Sequence, residues 1–435
     1  MNLNELKTIF KSFGCTQIYI KELAENDNSK NQIYFGLGFE SLNIIPNQGI
    51  IPDTKPSRPG FKAKLDFYWI GDNGDAANAP YAQLILYPQY PEVRFSGFLR
   101  GCSKAPSSIL TVRQRGRLLL LGTTPTRKVY GFAVSPSNNI SKEYRLLNLQ
   151  PDHGVFAILG ILPSTFPSDT REQLIKELRR VHNKGWINSK QLSENGKILP
   201  CNAPQCGGFT LEAELGIPKN SRSEPDMYGW EIKQHSVTNF ERIETGIITL
   251  MTPEPTGGFY KDRGVEKFIR TFGYKDKLGR ADRYNFGGIY RADNRHSGTH
   301  LTLQLDGYNK EKGIITKPEG SITLTTDRNV IAASWDFASL MSHWTRKHAK
   351  AAYVPSQRRT EPCRQYAYGG TIRLALHTDF YLFLKALALG IVYYDPGIKL
   401  EGASSSKPTT KRRSQFRIAS RHIASLYELV ETVVL

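Results

Sequence analysis

Asp226, Glu231 and Lys233 sit close together in the stretch EPDMYGWEIKQH, 224–235, among apolar and aromatic neighbours. Charged groups are rarely buried unless they are paired or bind metal. In an extended strand the side chains alternate, so Glu231 and Lys233 point to one face while Trp230 and Ile232 point to the other. Asp226 precedes Glu231 by five residues, with Pro225 and Gly229 permitting a bend between them. Two carboxylates that converge without a cation repel, and one takes up a proton. A divalent cation removes that conflict, and Mg²⁺ prefers oxygen ligands. Lys233 beside it can orient a water or stabilise charge building on a phosphate. The pattern therefore suits metal-assisted phosphodiester hydrolysis. A solvated strand also carries Glu-x-Lys pairs, where they are worth little. The apolar company of Met227, Tyr228, Trp230 and Ile232 weighs towards a site.

Such a site needs a substrate and a scaffold. Lys plus Arg is 58 against 40 for Asp plus Glu, a formal net charge of +18, which points to a polyanionic partner, nucleic acid or an anionic membrane. A membrane span is not expected. The most apolar stretch, FYLFLKALALGIVYY, is interrupted by Lys385 and falls short of the roughly 20 residues a span requires. The start, MNLNELKTIFKSFG, has no apolar signal core, so a cytoplasmic location is expected. The five cysteines are an odd number and fit reduced thiols. Cys201 and Cys206 lack the spacing of a zinc knuckle.

The elements fall into two parts. Over 1–155, TQIYIKEL, YAQLILYP, EVRFSGFL, RLLLLGT and KVYGFAVS are short β-branched or aromatic runs between turn residues, which predicts a strand-rich sheet or barrel domain. The stretch ILGILPSTFPSDT marks the junction. A helix is expected from Ser168 or Asp169, with Leu174, Ile175, Leu178 and Val181 as its buried stripe and Gly185 as its stop. Strands in GIITLMT, NFGGIYRA, HLTLQLDG and GSITLTTD alternate with helices in WDFASLMSHWTRKHAK and TDFYLFLKALALG, so the second part, 165–435, is mixed α/β or α+β. GASSSKPTTKRRSQFR reads as a polar, basic loop.

Five ordered blocks carry a resemblance: NKGWINS (183–189), GGFTLEAELGI (207–217), EPDMYGWEIKQ (224–234), YYDPGIKLE (393–401) and KRRSQFRI (411–418). Together they resemble the MvaI/BcnI family of type II restriction endonucleases, within the wider PD-(D/E)XK fold and similar to the strand-nicking repair endonuclease MutH. The resemblance implies Asp226 and Glu231 as ligands of Mg²⁺, Lys233 as the catalytic lysine, and a glutamate on the preceding helix, Glu212, with Glu214 as the alternative. It further implies double-stranded DNA as partner, a short G·C-rich site of CCWGG or CCSGG type, a monomer that nicks the two strands in succession, and a bacterial or archaeal cytoplasm with a cognate DNA methyltransferase in the same system.

Base-edge contacts specify sequence and phosphate contacts position the protein. Arginine matches the guanine edge, and Asp can accept from cytosine N4. Arg413, Gln415 and Arg417 are the candidate readers, with Asp395 and Lys399 beside them. Arg346, Lys347 and His348 are candidates for phosphates or bases. They open a basic run to Arg373, whose interleaved Tyr353, Tyr366 and Tyr368 offer stacking surfaces.

IYIKELAENDNSKNQIYFG, 18–36, resembles the opening of the N-terminal effector domain of the EcoRII restriction enzyme, a DNA-binding pseudobarrel. The matched residues are Lys21, Leu23, Asn26, Asp27 and Gln32. Arg94, Arg100, Lys104, Arg113, Arg115 and Arg117 add charge on or near predicted strands. Lys21, Asn26, Arg94 and Arg100 are the DNA-binding candidates of this part. A MutH-like nickase and a DNA-binding regulator with a dead nuclease fold are the competing functions.

Overall fold

A computed structural model describes residues 1–28, 32–55, 58–161, 170–219 and 225–435. The chain forms two compact units, Met1–Asp169 and Thr170–Leu435. The expected helix start at Ser168 or Asp169, and both prolines of the junction stretch, lie outside the described residues.

The first unit is built on two sheets. In the six-stranded one, the order is Ala157–Gly160, Gln17–Leu23, Arg117–Thr123, Lys128–Val134, Asp66–Ile70 and Ala76–Asn78. Every residue of Arg117–Thr123 is buried, as a central strand covered on both faces requires. The helix Leu3–Ser12, closed by a capping box between Asn2 and Glu5, packs Leu6 and Phe10 with Ile18, Ile20 and Leu120. The five-stranded sheet runs Ile33–Leu37, Glu92–Ser96, Gln83–Tyr87, Gly60–Lys64 and Ile50–Asp53. Its buried Phe35 and Phe95 stack with centroids 5.2 Å apart, and Phe67 lies 5.1 Å from Phe95.

The second unit mixes strands and helices. Its main sheet is ordered Ile187–Asn188, Gln365–Tyr368, Lys350–Arg359, Thr371–Leu376 and Leu429–Val434. The strand Glu231–Ser236 adds to it in parallel, with Glu231 opposite Ala351 and Ser236 opposite Ser356. The helix Thr170–His182 buries Leu174, Ile175, Leu178 and Val181 against Leu211, Trp230, Ile232 and Val354. These apolar contacts clamp the back of the strand whose other face carries Glu231 and Lys233.

Several expectations are corrected. The run from Lys350 to Arg373 is largely sheet, and Tyr353, Tyr366 and Tyr368 are core residues, so they offer no stacking surface. Arg373 is buried too, bonded to Ser420 and facing Glu244. Arg117 is fully buried, its guanidinium donating to the carbonyls of Gln114, Ile109, Ala24 and Asp27. The basic loop at 402–417 contains the strand Thr409–Lys411 and the start of Phe416–Ala419. Cys201 and Cys206 form a disulfide with Cα atoms 5.7 Å apart, contrary to the all-thiol expectation, while Cys15, Cys102 and Cys363 are free. No described helix is long and apolar enough to cross a membrane.

Candidate active site

The bend between Asp226 and Glu231 is a two-residue turn. Tyr228 and Gly229 both take left-handed conformations, φ 52° and 80°, and Met227 and Trp230 close the turn with bonds in both directions. Paired left-handed residues match the twist of a tight hairpin. Asp226 is thereby folded back onto the strand, where Ile232 N–H donates to its Oδ2 at 2.8 Å. Trp230 is buried as the anchor, and Tyr228 is exposed at the tip.

Glu231 is buried. Its Oε1 accepts Lys233 Nζ at 2.7 Å, as strand alternation predicts, and Lys347 Nζ stands 3.6 Å from the same oxygen. Its Oε2 is buried with no hydrogen-bond partner. The helix Cys206–Glu214 brings Glu212 to this cluster. Gly207 allows the approach, because a Cβ there would lie 3.0 Å from the Gln234 side chain. Burial pushes the Glu212 carboxyl up to about 7, helped by the charge of Asp226. Burial and Glu231 push Asp226 up to about 6. Burial lowers the Lys233 ammonium, and Glu231 and Asp226 more than offset it, so it titrates above its ordinary value.

Three carboxylates thus face two ammonium groups, with one carboxylate oxygen unsatisfied. Raised carboxyls and an orphaned buried oxygen are what an oxygen-ligated divalent cation would relieve. The donor set fits such an ion.

Glu214 is directed elsewhere. It takes Lys184 at 2.6 Å and Lys190 at 2.5 Å. Burial raises its carboxyl, but those two bonds hold it below the usual range. The structure therefore separates Glu212 from its alternative.

The reading candidates gather on another part of the unit. Along 413–417 the outward residues are Arg413, Gln415 and Arg417, with Ser414 and Phe416 buried between them. Arg417 Nη1 bonds Asp395 Oδ2 at 2.5 Å, and Asp395 N–H donates to the Gln415 carbonyl at 2.8 Å. Arg413 lies over Gly397, where a Cβ would meet its Nε at 2.4 Å. Lys399 is half-buried, and burial with Arg283, Arg280 and Arg413 lowers its ammonium.

Two of the three candidates at 346–348 move. His348 is fully buried and stacked on Trp344 at 4.1 Å, so it cannot touch DNA as expected. Lys347 belongs to the carboxylate cluster, joined by His343 one turn earlier. Burial, Lys347 and Lys233 hold the His343 ring neutral, down to about 4. Arg346 is half-buried. No local motif marked Lys347, because it reaches Glu231 from a helix more than a hundred residues away in sequence. Its place in a basic run, just before the strand Lys350–Arg359 that pairs with the strand of Glu231, was the available signal.

In the first unit, Lys21, Asn26 and Arg94 line one cavity of about 1070 Å³ with Tyr34, Arg58 and Tyr90. Lys21 is not a free contact. Its Nζ bonds Asp27 Oδ2 at 2.7 Å, with the two side chains only 6% and 7% exposed. Its role here is to hold the cavity wall, a correction to its expected DNA contact. Arg94 pairs with Glu92 at 2.9 Å, and Asn26 is exposed on the rim. Arg100 lies outside the cavity lining, its guanidinium 4.4 Å above the Tyr81 ring.

The family model of the MvaI/BcnI restriction endonuclease family matches residues 175–427, more than half of the chain and all of the cluster around Glu231. The chain belongs to this family. It is thus a restriction endonuclease, a type II site-specific deoxyribonuclease. Among solved structures, it is similar to restriction endonuclease MvaI in complex with cognate DNA substrate, at 17% identity and TM-score 0.47, covering 62% of this chain and 100% of that one. It is also similar to MvaI in the absence of DNA, at 16% identity and TM-score 0.34, with the same coverage. No curated protein matches it.

Proposed function

We propose that this endonuclease cuts double-stranded DNA with Mg²⁺ held by Asp226 and Glu231. The observation that carries the reading is the buried, unpartnered Glu231 Oε2 beside Asp226, Glu212 and Lys233. The bound cation would supply Lewis-acid polarisation of the scissile phosphate and of a water. Lys233 orients that water for in-line attack and steadies the developing charge. Glu212, near neutrality in its proton affinity, supports the ion or its waters and can hold a proton. Trp230 and Ile232 keep solvent off the back of the strand.

Arg413 and Arg417 read guanine edges of a short G·C-rich site, CCWGG- or CCSGG-like, with Gln415, Asp395 and Lys399 completing the contacts. Arg346 holds a phosphate. The enzyme works as a monomer, and because one chain carries one such cluster among its described residues, that monomer nicks the two strands in succession. The 1–155 region acts as a DNA-binding effector, a reading supported by its cavity with Asn26 and Arg94. Tethering a second site there raises the local concentration of the first without new contacts. Host DNA then requires a methyltransferase that protects the same sequence, and the cytoplasm is where the chain acts.

Digestion of a sequenced plasmid by purified protein tests this. Discrete double-strand ends at one short motif with Mg²⁺, and intact plasmid in EDTA, are expected. Nicked circles alone would favour the repair-type nickase, and tight binding without any cutting would leave a regulator.

A further inference from the structure

Lys347 is the last residue of the helix Phe337–Lys347, whose end is anchored by His348 lying flat on Trp344. Its side chain is 21% exposed and Glu231 is 3% exposed, so their contact is not one between two solvated groups. Both lysines address Glu231 Oε1, but unequally. Lys233 is within hydrogen-bond distance at 2.7 Å, whereas Lys347 at 3.6 Å is held by charge alone. Helix ends often carry Lys and Arg simply to complement the dipole, and Arg346 and Lys347 would satisfy that rule from solvent. Lys347 instead turns towards three carboxylates.

We propose that Lys347 is a further catalytic residue: it neutralises the carboxylate cluster in the free enzyme, leaves Glu231 when a divalent cation enters, and then binds the scissile phosphate. This rests on the reading of Asp226 and Glu231 as metal ligands. The physical reason is charge balance. A dication set among Asp226, Glu231 and Glu212 repels both ammonium groups, and the more loosely held one yields. Its flexible four-carbon stem can carry the charge to the nearest new anion, a DNA phosphate. Lys233, held by the shorter bond, stays with the water.

The test uses the full chain and three variants. Ca²⁺ alone is titrated by calorimetry at pH 8.5, without DNA. Lys347→Met is expected to bind Ca²⁺ about tenfold more tightly than wild type, since one like charge near the ion is gone. Lys347→Arg should stay near wild type. With Mg²⁺, plasmid nicking by Lys347→Met should fall on the order of a hundredfold, and Lys347→Arg should recover part of it. Unchanged or weaker Ca²⁺ binding by Lys347→Met overturns the proposal, as does nicking at the wild-type rate. Asp226→Asn separates the two levels of the argument. Loss of Ca²⁺ binding there is expected, and retention would sink the ligand assignment itself. Its loss together with unchanged Lys347→Met affinity sinks only the role of Lys347.

Discussion

Replacing Glu212 by glutamine should make the metal-free protein more stable, and only at neutral to alkaline pH. The folded structure lifts this carboxyl from 4.5 to about 7 by burial and by the charge of Asp226. A folded value above the unfolded one means the native state binds the extra proton, so stability falls as pH rises between the two values. At 1.36 kcal/mol per pH unit, the full cost is on the order of 3 kcal/mol above pH 7 and under about 1 kcal/mol at pH 5. Glu212→Gln removes that cost. Urea unfolding in EDTA at pH 5 and pH 8, followed by tryptophan fluorescence, measures it. Trp186, Trp230, Trp335 and Trp344 all lie in 170–435, so the signal reports mainly the unit concerned. Ca²⁺ should narrow the gap at pH 8 by stabilising wild type more. Glu214→Gln is the internal contrast: its carboxylate is held low by Lys184 and Lys190, so that variant should lose about 2 kcal/mol at pH 8. An equal wild-type-to-Glu212→Gln difference at both pH values would refute the reasoning.

Lys233→Ala should abolish cleavage while sequence-specific binding in Ca²⁺, read by gel shift, persists; cutting near the wild-type rate would mean that the lysine is misassigned. Arg417→Ala should cost about 1–3 kcal/mol of discrimination at one base pair, seen as extra cleavage positions when plasmid ends are mapped. Asp27→Ala in the first unit should destabilise it by about 3–5 kcal/mol, since Lys21 is left buried and unpaired. Thermal melting of that variant with and without Lys21→Met checks the cause, because removing both charges should restore part of the loss.

Where chemistry depends on neighbours in the chain, the amino-acid order was enough. Glu231 and Lys233 share a face because strand side chains alternate, and the 2.7 Å ion pair follows from that period. The stripe Leu174, Ile175, Leu178 and Val181 was readable from helical spacing. The first-unit strands Gln17–Leu23, Gln83–Tyr87, Glu92–Ser96, Arg117–Thr123 and Lys128–Val134 were readable from their β-branched or aromatic runs, whereas Ile33–Leu37, Ile50–Asp53, Gly60–Lys64, Asp66–Ile70, Ala76–Asn78 and Ala157–Gly160 were not. The family blocks singled out Glu212 before any geometry separated it from Glu214.

Tertiary structure decided which charges are available to act. Lys21, Arg117 and Arg373 look like surface cations in a basic chain, yet each is buried and bonded. His348 stacks in the core one residue from Lys347, which reaches the carboxylates. Net charge and basic runs report how many cations exist, and only the packing around each one says whether it meets solvent, a carbonyl or a carboxylate. Proximity across more than a hundred residues is set by the sheet and helix that bring the segments together, and no local pattern encodes it.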